Sequence, residues 1–297
     1  MTRPAVAVVL GLSAAAAYGV ASTLQHREAL QVRASNPLAP GLLVSLAKRP
    51  AWLLALGADI SAVALQGTAL RFGAVVLVQL LVVAGLPIAV LLSSLLPGGR
   101  LSRQDLLGLV LCTGGLALAV PATTGVDLGH PAGAGAWTAA ALVVGAATLA
   151  LVGLARARAS SGALALGVAA GITAGASSVL LAVCAAGVGR PLDLLSSAAP
   201  YAAVVGALAT LSLTQSAFQT GAIGAPLAAL SITEPAAAVV LAVAVLHQHL
   251  PASPSAVVPA AFGAAAAVGG VLLLAHVRSA ASPADPLVVE GDGGVRG

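Results

Sequence analysis

The chain has 297 residues, of which 59% are hydrophobic and only 7% charged. A soluble domain of that length carries about 25% charged residues, so the composition excludes an ordinary water-soluble fold and places the chain in a bilayer. Its net charge of +4 does not point to nucleic acid, because the basic residues sit in short loops between apolar runs and read as a topology signal.

A helix needs about 20 mainly apolar residues to cross the hydrocarbon core. Nine segments qualify: about 4–25, 50–70, 74–96, 104–121, 136–155, 162–187, 198–219, 222–246 and 256–277. The first begins like a secretory signal peptide, with Arg3 before an Ala-rich run. Tyr18-Gly19-Val20-Ala21-Ser22 carries it on to spanning length, and a related segment occurs in the second half, so it reads as the first membrane helix. Gln31 to Leu46 is expected to be a cytoplasmic linker with a short surface helix, and 279–297 a disordered cytoplasmic tail. Cys112 and Cys184 lie inside spans and read as small packing residues.

Nine spans put the N-terminus and the loops after spans 2, 4, 6 and 8 on one side. That side holds Arg3, Arg71 and Arg190. The other holds Arg27, Arg33, Lys48, Arg49, Arg100, Arg103, Arg156, Arg158, Arg278 and Arg296. The positive-inside rule predicts a multi-pass protein of the cell membrane with the N-terminus outside and the C-terminus in the cytoplasm.

An internal repeat organises the spans. Gly57 and Gln66 in span 2 recur as Gly206 and Gln215 in span 7, both at an offset of 149. Pro87 in span 3 recurs as Pro235 in span 8, at 148, and Gly108, Gly114 and Gly115 recur as Gly263, Gly269 and Gly270, at 155. A displacement by five spans makes the copies enter the membrane from opposite sides, the inverted symmetry of secondary carriers. The expected organisation is a first four-helix unit (1–121), a connecting helix with its loops (122–160), a second, inverted four-helix unit (161–278) and the tail (279–297).

Two acids stand out. Asp59 lies ten residues beyond Arg49, about 15 Å deep at about 1.5 Å per residue, and Glu234 lies near the middle of span 8. A charge at that depth costs roughly 2.5–3.5 kcal/mol on insertion scales, so such residues face a protein interior or a wet cavity. Either acid could bind a proton or meet a cationic group on a substrate; the plainer reading is a neutral acid bonded between helices, or one that reaches water at an interface. At 148 and 149 residues their counterparts are Leu86 and Leu208, so the halves are chemically unequal. Pro87 and Pro235 are expected to break or kink their helices, freeing a carbonyl. Tyr18, Gln66, Gln79 and Gln215, with Gln25, are candidate substrate contacts, although glutamines also bond across helix interfaces. Ser177, Ser178, Thr210, Ser212 and Thr214 are expected to bond back to helix carbonyls.

His247-Gln248-His249 lacks the carboxylate or thiolate partners of a metal site, and no metal or other cofactor is expected. There is no H-E-x-x-H, P-loop, dinucleotide fingerprint or Asp-rich pair. An intramembrane protease would need a catalytic pair at depth, and no protease-like pattern surrounds the two acids, so an enzyme is not expected. Glycine-rich surfaces leave a homodimer open.

The segment Trp52-Leu53-Leu54-Ala55-Leu56-Gly57-Ala58-Asp59, continuing through Leu65-Gln66-Gly67-Thr68-Ala69-Leu70-Arg71-Phe72-Gly73 to Leu77-Val78-Gln79, resembles the drug/metabolite transporter superfamily, specifically its EamA-like carriers. The resemblance extends through Gly114-Gly115 and Glu234-Pro235 and covers about residues 5–277. It implies nine or ten helices in inverted four-helix repeats, a central cavity, and movement of small metabolites, often with protons. The layout is also similar to the NIPA-like magnesium transporters of the same superfamily. Aligning Gln66 with their polar Asn puts Val63 where they carry an acid, and Leu80 stands where many relatives have proline. The expected function is therefore a proton-coupled secondary transporter of a small metabolite or drug-like solute. The alternatives are a magnesium permease and a multi-span protein that transports nothing.

Overall fold

The computed structural model describes residues 3–31, 41–95, 101–218 and 224–280. Twelve helices occupy them: α1 (Arg3–Gln31), α2 (Gly41–Ala47), α3 (Pro50–Leu70), α4 (Val75–Val82), α5 (Gly85–Leu95), α6 (Arg103–Thr123), α7 (Ala134–Ala157), α8 (Ala159–Gly187), α9 (Pro191–Ser196), α10 (Ala199–Phe218), α11 (Gly224–Leu246) and α12 (Pro254–Ala280). Among the described residues nine stretches are long and apolar enough to cross a membrane, and their limits fall within a few residues of the expected ones. The tail from 281 onward, and residues 32–40 of the linker, lie outside the described residues.

Local chemistry sets the ends. Pro50 and Pro191 open α3 and α9 at a position where the missing N–H costs nothing. Ser102 and Asp105 form a reciprocal capping box at the start of α6. Arg49, the residue capping α3, pairs with Glu28 near the end of α1. The linker does contain a short helix, α2, whose Leu46 packs with Trp52, Leu56 and Leu211.

Span 3 is two helices, with a turn at Val83 and Ala84 between α4 and α5. Pro87 lies three residues further on. Its ring cannot accommodate the Val83 carbonyl in an α-helix and it has no N–H to donate there; the Leu86 N–H donates to that carbonyl instead, at 3.3 Å. The matching Pro235 behaves differently. α11 runs unbroken from Gly224 to Leu246, so the break expected at Pro235 is absent. A single lost bond is tolerated when the flanking turns are held by neighbouring helices.

The interior is built from small residues. Ala7, Ala14, Ala15, Ala21, Ala55, Ala62 and Ala69 are all fully buried, while Leu54, Leu142, Val143, Leu149 and Phe262 are exposed. Lipid is as apolar as leucine, so large side chains gain nothing by leaving the surface, and small ones let backbones approach. α1 packs on α3 and on the α4–α5 pair; α8 packs on α10 and α11; α6 packs on α12. α7 rests mainly on α8 and buries none of its residues.

Candidate functional site

Gln66, Gln79 and Gln215 are among the largest fully buried side chains. Unsatisfied amides are costly in such surroundings, so their partners define the polar interior. The Tyr18 hydroxyl donates to Gln66 Oε1 at 2.6 Å, and Gln66 Nε2 donates to Ser178 Oγ at 3.1 Å. Gln215 Nε2 donates to Gln25 Oε1 at 2.7 Å, and Gln25 Nε2 donates to Asp59 Oδ2 at 3.0 Å. The two chains tie α1 and α3 to α8 and α10.

Between them lies a cavity of about 240 Å³, a little below the 300–1,000 Å³ of typical ligand pockets. Tyr18, Asp59, Gln66, Gln79, Glu234 and Pro235 all line it. Its walls come from α1, α3, α4, α5, α8, α10 and α11. Asp59 sits nine residues into α3 and Glu234 ten residues into α11, each about 14–15 Å along its helix at about 1.5 Å per residue. Both are part-buried, and Tyr18 is too. Among the described residues no Lys, Arg or His lines the cavity. On α3, α4, α8 and α11, Ala69, Leu70, Val75, Val78, Val179, Ala238, Ala242 and Val245 form an apolar cluster.

One expected contact, Gln215, and one expected helix-breaker, Pro87, lie outside the cavity lining. Gln215 does not line the cavity; it lies behind Gln25, holding the side chain that holds Asp59. Pro87 is buried away from the cavity, and its neighbour Leu86 lines it instead. The hydroxyls also depart from expectation. Ser177 does bond back, to the Thr173 carbonyl at 2.8 Å, but Ser178 accepts from Gln66 and Thr210 Oγ1 donates to Thr173 Oγ1 at 2.9 Å. Thr214 lines the cavity, and its hydroxyl has no hydrogen-bond partner. The signal that could have singled out Ser178 is a further repeat, missed in the sequence: Ser22 lies 156 residues earlier and also lines the cavity. The His247 ring lies against that of His130, tilted by 42° with centroids 4.9 Å apart. Among the described residues no group of three or more His, Cys, Asp or Glu is close enough to hold a metal ion.

The Tyr18–Gln66 pair gives a direct test of this network. Tyr18→Phe keeps the ring and leaves Gln66 Oε1 without its donor. The expected loss is about 0.6–2 kcal/mol, between the average bond inside membrane bundles and the cost of a fully orphaned acceptor. Thermal unfolding in detergent reads it, and an unchanged melting point would show the bond to be idle.

Fold and site together define a multi-pass helical membrane protein with an acidic, amide-lined cavity inside its bundle. No protein-family model, curated protein or solved structure matches the chain. The functional reading therefore comes from the cavity's own residues.

Proposed function

We propose that the protein is a secondary transporter that carries a small solute across the cell membrane by alternating access, coupled to protons, with Asp59 and Glu234 as its working acids. The observation that carries this reading is the cavity itself: two carboxylates placed halfway along their helices, sharing one space with no basic side chain beside them among the described residues. A purely structural acid at such depth would be paired or fully bonded. Gln25 donates to Asp59, an arrangement suited to a standing carboxylate that meets the solute. No hydrogen bond reaches Glu234 from the described residues, which leaves it free to take up and release the proton.

The packing favours two inverted units. Exchanging α1 with α8, α3 with α10, the α4–α5 pair with α11, and α6 with α12 turns the α1–α3 packing into α8–α10 and the packing of α1 on α4 and α5 into α8–α11; the connecting helix α7, which rests on α8, stands outside this exchange. The crossing of α6 and α12 is its own mirror. A Cβ added at Gly115 would strike the Gly263 carbonyl and lie 2.5 Å from Ala267 N; one added at Gly270 would lie 2.7 Å from the Gly108 carbonyl and 2.6 Å from Cys112 N. These pairs correspond at an offset of 155 and run in opposite chain directions, as an axis in the membrane plane requires. Packing also refines the repeat. Gly19 faces the Gly85 carbonyl and Gly175 faces the Glu234 carbonyl, which pairs Glu234 with Gly85, one residue from the proline-based match to Leu86. On this reading the basic loops face the cytoplasm and the N-terminus lies outside.

The cavity offers a magnesium permease little beyond the two acids, because Val63 lines it where that branch carries an acid, so the organic solute is preferred. Thiol labelling tests the carrier reading. With Cys112 and Cys184 replaced by alanine, a single cysteine at Ser22 or Thr210 should react with a membrane-impermeant maleimide from one side of a vesicle under one pH gradient. The reactive side should switch when the gradient is reversed. A position that labels from neither side, or always from the same side, would rule out alternating access.

A further inference from the structure

Resting on the carrier reading, we infer that the cavity's solute is a small organic monocation that also bears an amide-like group, held between the two acids and Gln79. The acids fix the sign of the charge. A cavity with Asp59 and Glu234 ionised and no basic side chain among the described residues of its lining repels anions and leaves a neutral solute beside uncompensated charge, whereas a monocation relieves it.

Gln79 supplies the second half of the recognition. Its side chain is 1% exposed and lines the cavity, yet neither its Oε1 nor its Nε2 has a hydrogen-bond partner. The other cavity-lining glutamines, Gln25 and Gln66, each bond through both amide atoms. A buried primary amide left with one acceptor and its donors free costs stability unless something else engages it. The group that fits it presents a donor and an acceptor side by side, as another carboxamide does. A site that leaves such a group unpaired discriminates strongly against ligands lacking the complement.

The charge balance also sets the exchange. With Asp59 ionised, the cavity has one net negative charge when Glu234 is ionised and the cation is bound. It has the same charge when Glu234 holds a proton and the cation is gone. One cation therefore exchanges for one proton without moving net charge through the protein.

Binding to the purified full-length protein tests the assignment apart from transport. The probe is glycine betaine amide, a permanent cation with a carboxamide. Its comparators are 3,3-dimethylbutanamide, in which carbon replaces the charged nitrogen, and ethyltrimethylammonium, which lacks the amide. By calorimetry the probe is expected to bind at least about tenfold more tightly than ethyltrimethylammonium, one tenfold step being about 1.4 kcal/mol, with no measurable binding of 3,3-dimethylbutanamide. Gln79→Leu should erase the preference for the amide, leave ethyltrimethylammonium affinity unchanged, and hold or raise the melting temperature. Gln79→Glu provides a second variant, expected to bind ethyltrimethylammonium more tightly than the parent. Equal binding of the neutral isostere, or an amide preference that survives Gln79→Leu, overturns the proposal. A protein that binds the probe but never moves it in vesicles overturns the carrier reading and leaves this one standing. One that shows alternating access yet binds none of the cations does the reverse.

Discussion

Glu234→Gln should abolish proton-driven accumulation while leaving exchange intact. A gradient of about 2 pH units stores about 2.7 kcal/mol per proton, at about 1.36 kcal/mol per unit, and supports roughly 100-fold accumulation of a solute exchanged one for one. In acid-loaded proteoliposomes the parent protein is expected to concentrate labelled glycine betaine amide toward that limit; a permanent cation avoids the passive trapping of amines. Glu234→Gln removes the group proposed to alternate between proton and solute, so the ratio should fall to about one. The bound cation can still cross in both directions, and counterflow between equal pools should persist. Asp59→Asn removes the standing charge that faces the solute and should lose both. Full accumulation by Glu234→Gln would end its role as the coupling group. Loss of accumulation and counterflow alike in Glu234→Gln would make it a second solute contact instead.

The site behind that proposed division of labour was only partly legible in the sequence. Nine apolar runs near 20 residues long dictate nine spans, because in lipid every backbone group must be satisfied within its own segment. The depth of Asp59 and Glu234 followed from counting along those runs, and both acids line the cavity. What sequence could not show was which members of the repeat diverge. The offset of 149 treats Gln66 and Gln215 as equals, but Gln66 is met by Tyr18 and Ser178 at the cavity wall, whereas Gln215 is screened from it by Gln25. In the second half the residues 156 beyond Tyr18 and Gln25 are Ala174 and Leu181, which cannot repeat those bonds. Pro87 and Pro235 make the same point. The ring chemistry is identical, but α4 and α5 separate upstream of the first while α11 passes through the second. A proline makes a break affordable, and the packing of neighbouring helices decides whether it happens.

The proposed alternating access needs two units that move against one another without losing their shared seam, and the close α6–α12 crossing is where that proposal puts it. Gly115 and Gly270 sit where the helices meet backbone to backbone, so the methyl of Gly115→Ala or Gly270→Ala has no flexible side chain to displace. Overpacking of this kind costs about 1–3 kcal/mol, a fall of roughly 2–12 °C in melting temperature at about 2–4 °C per kcal/mol. Their immediate neighbours, Gly114 and Gly269, face open space, with nothing within 4 Å of an added Cβ. There the same substitution should be neutral or stabilising by about 0.5–1 kcal/mol, because alanine is the better helix former. The four variants thus share one chemical change and differ only in which face of the helix carries it. The double variant of Gly115 and Gly270 should cost less than the two single losses together, since one outward shift of the helices relieves both clashes and the sites are coupled through it. Strict additivity would mean that each end yields locally. A destabilised Gly114→Ala or Gly269→Ala would place the contact surface on the wrong face and remove the geometric support for two units related by an in-plane axis.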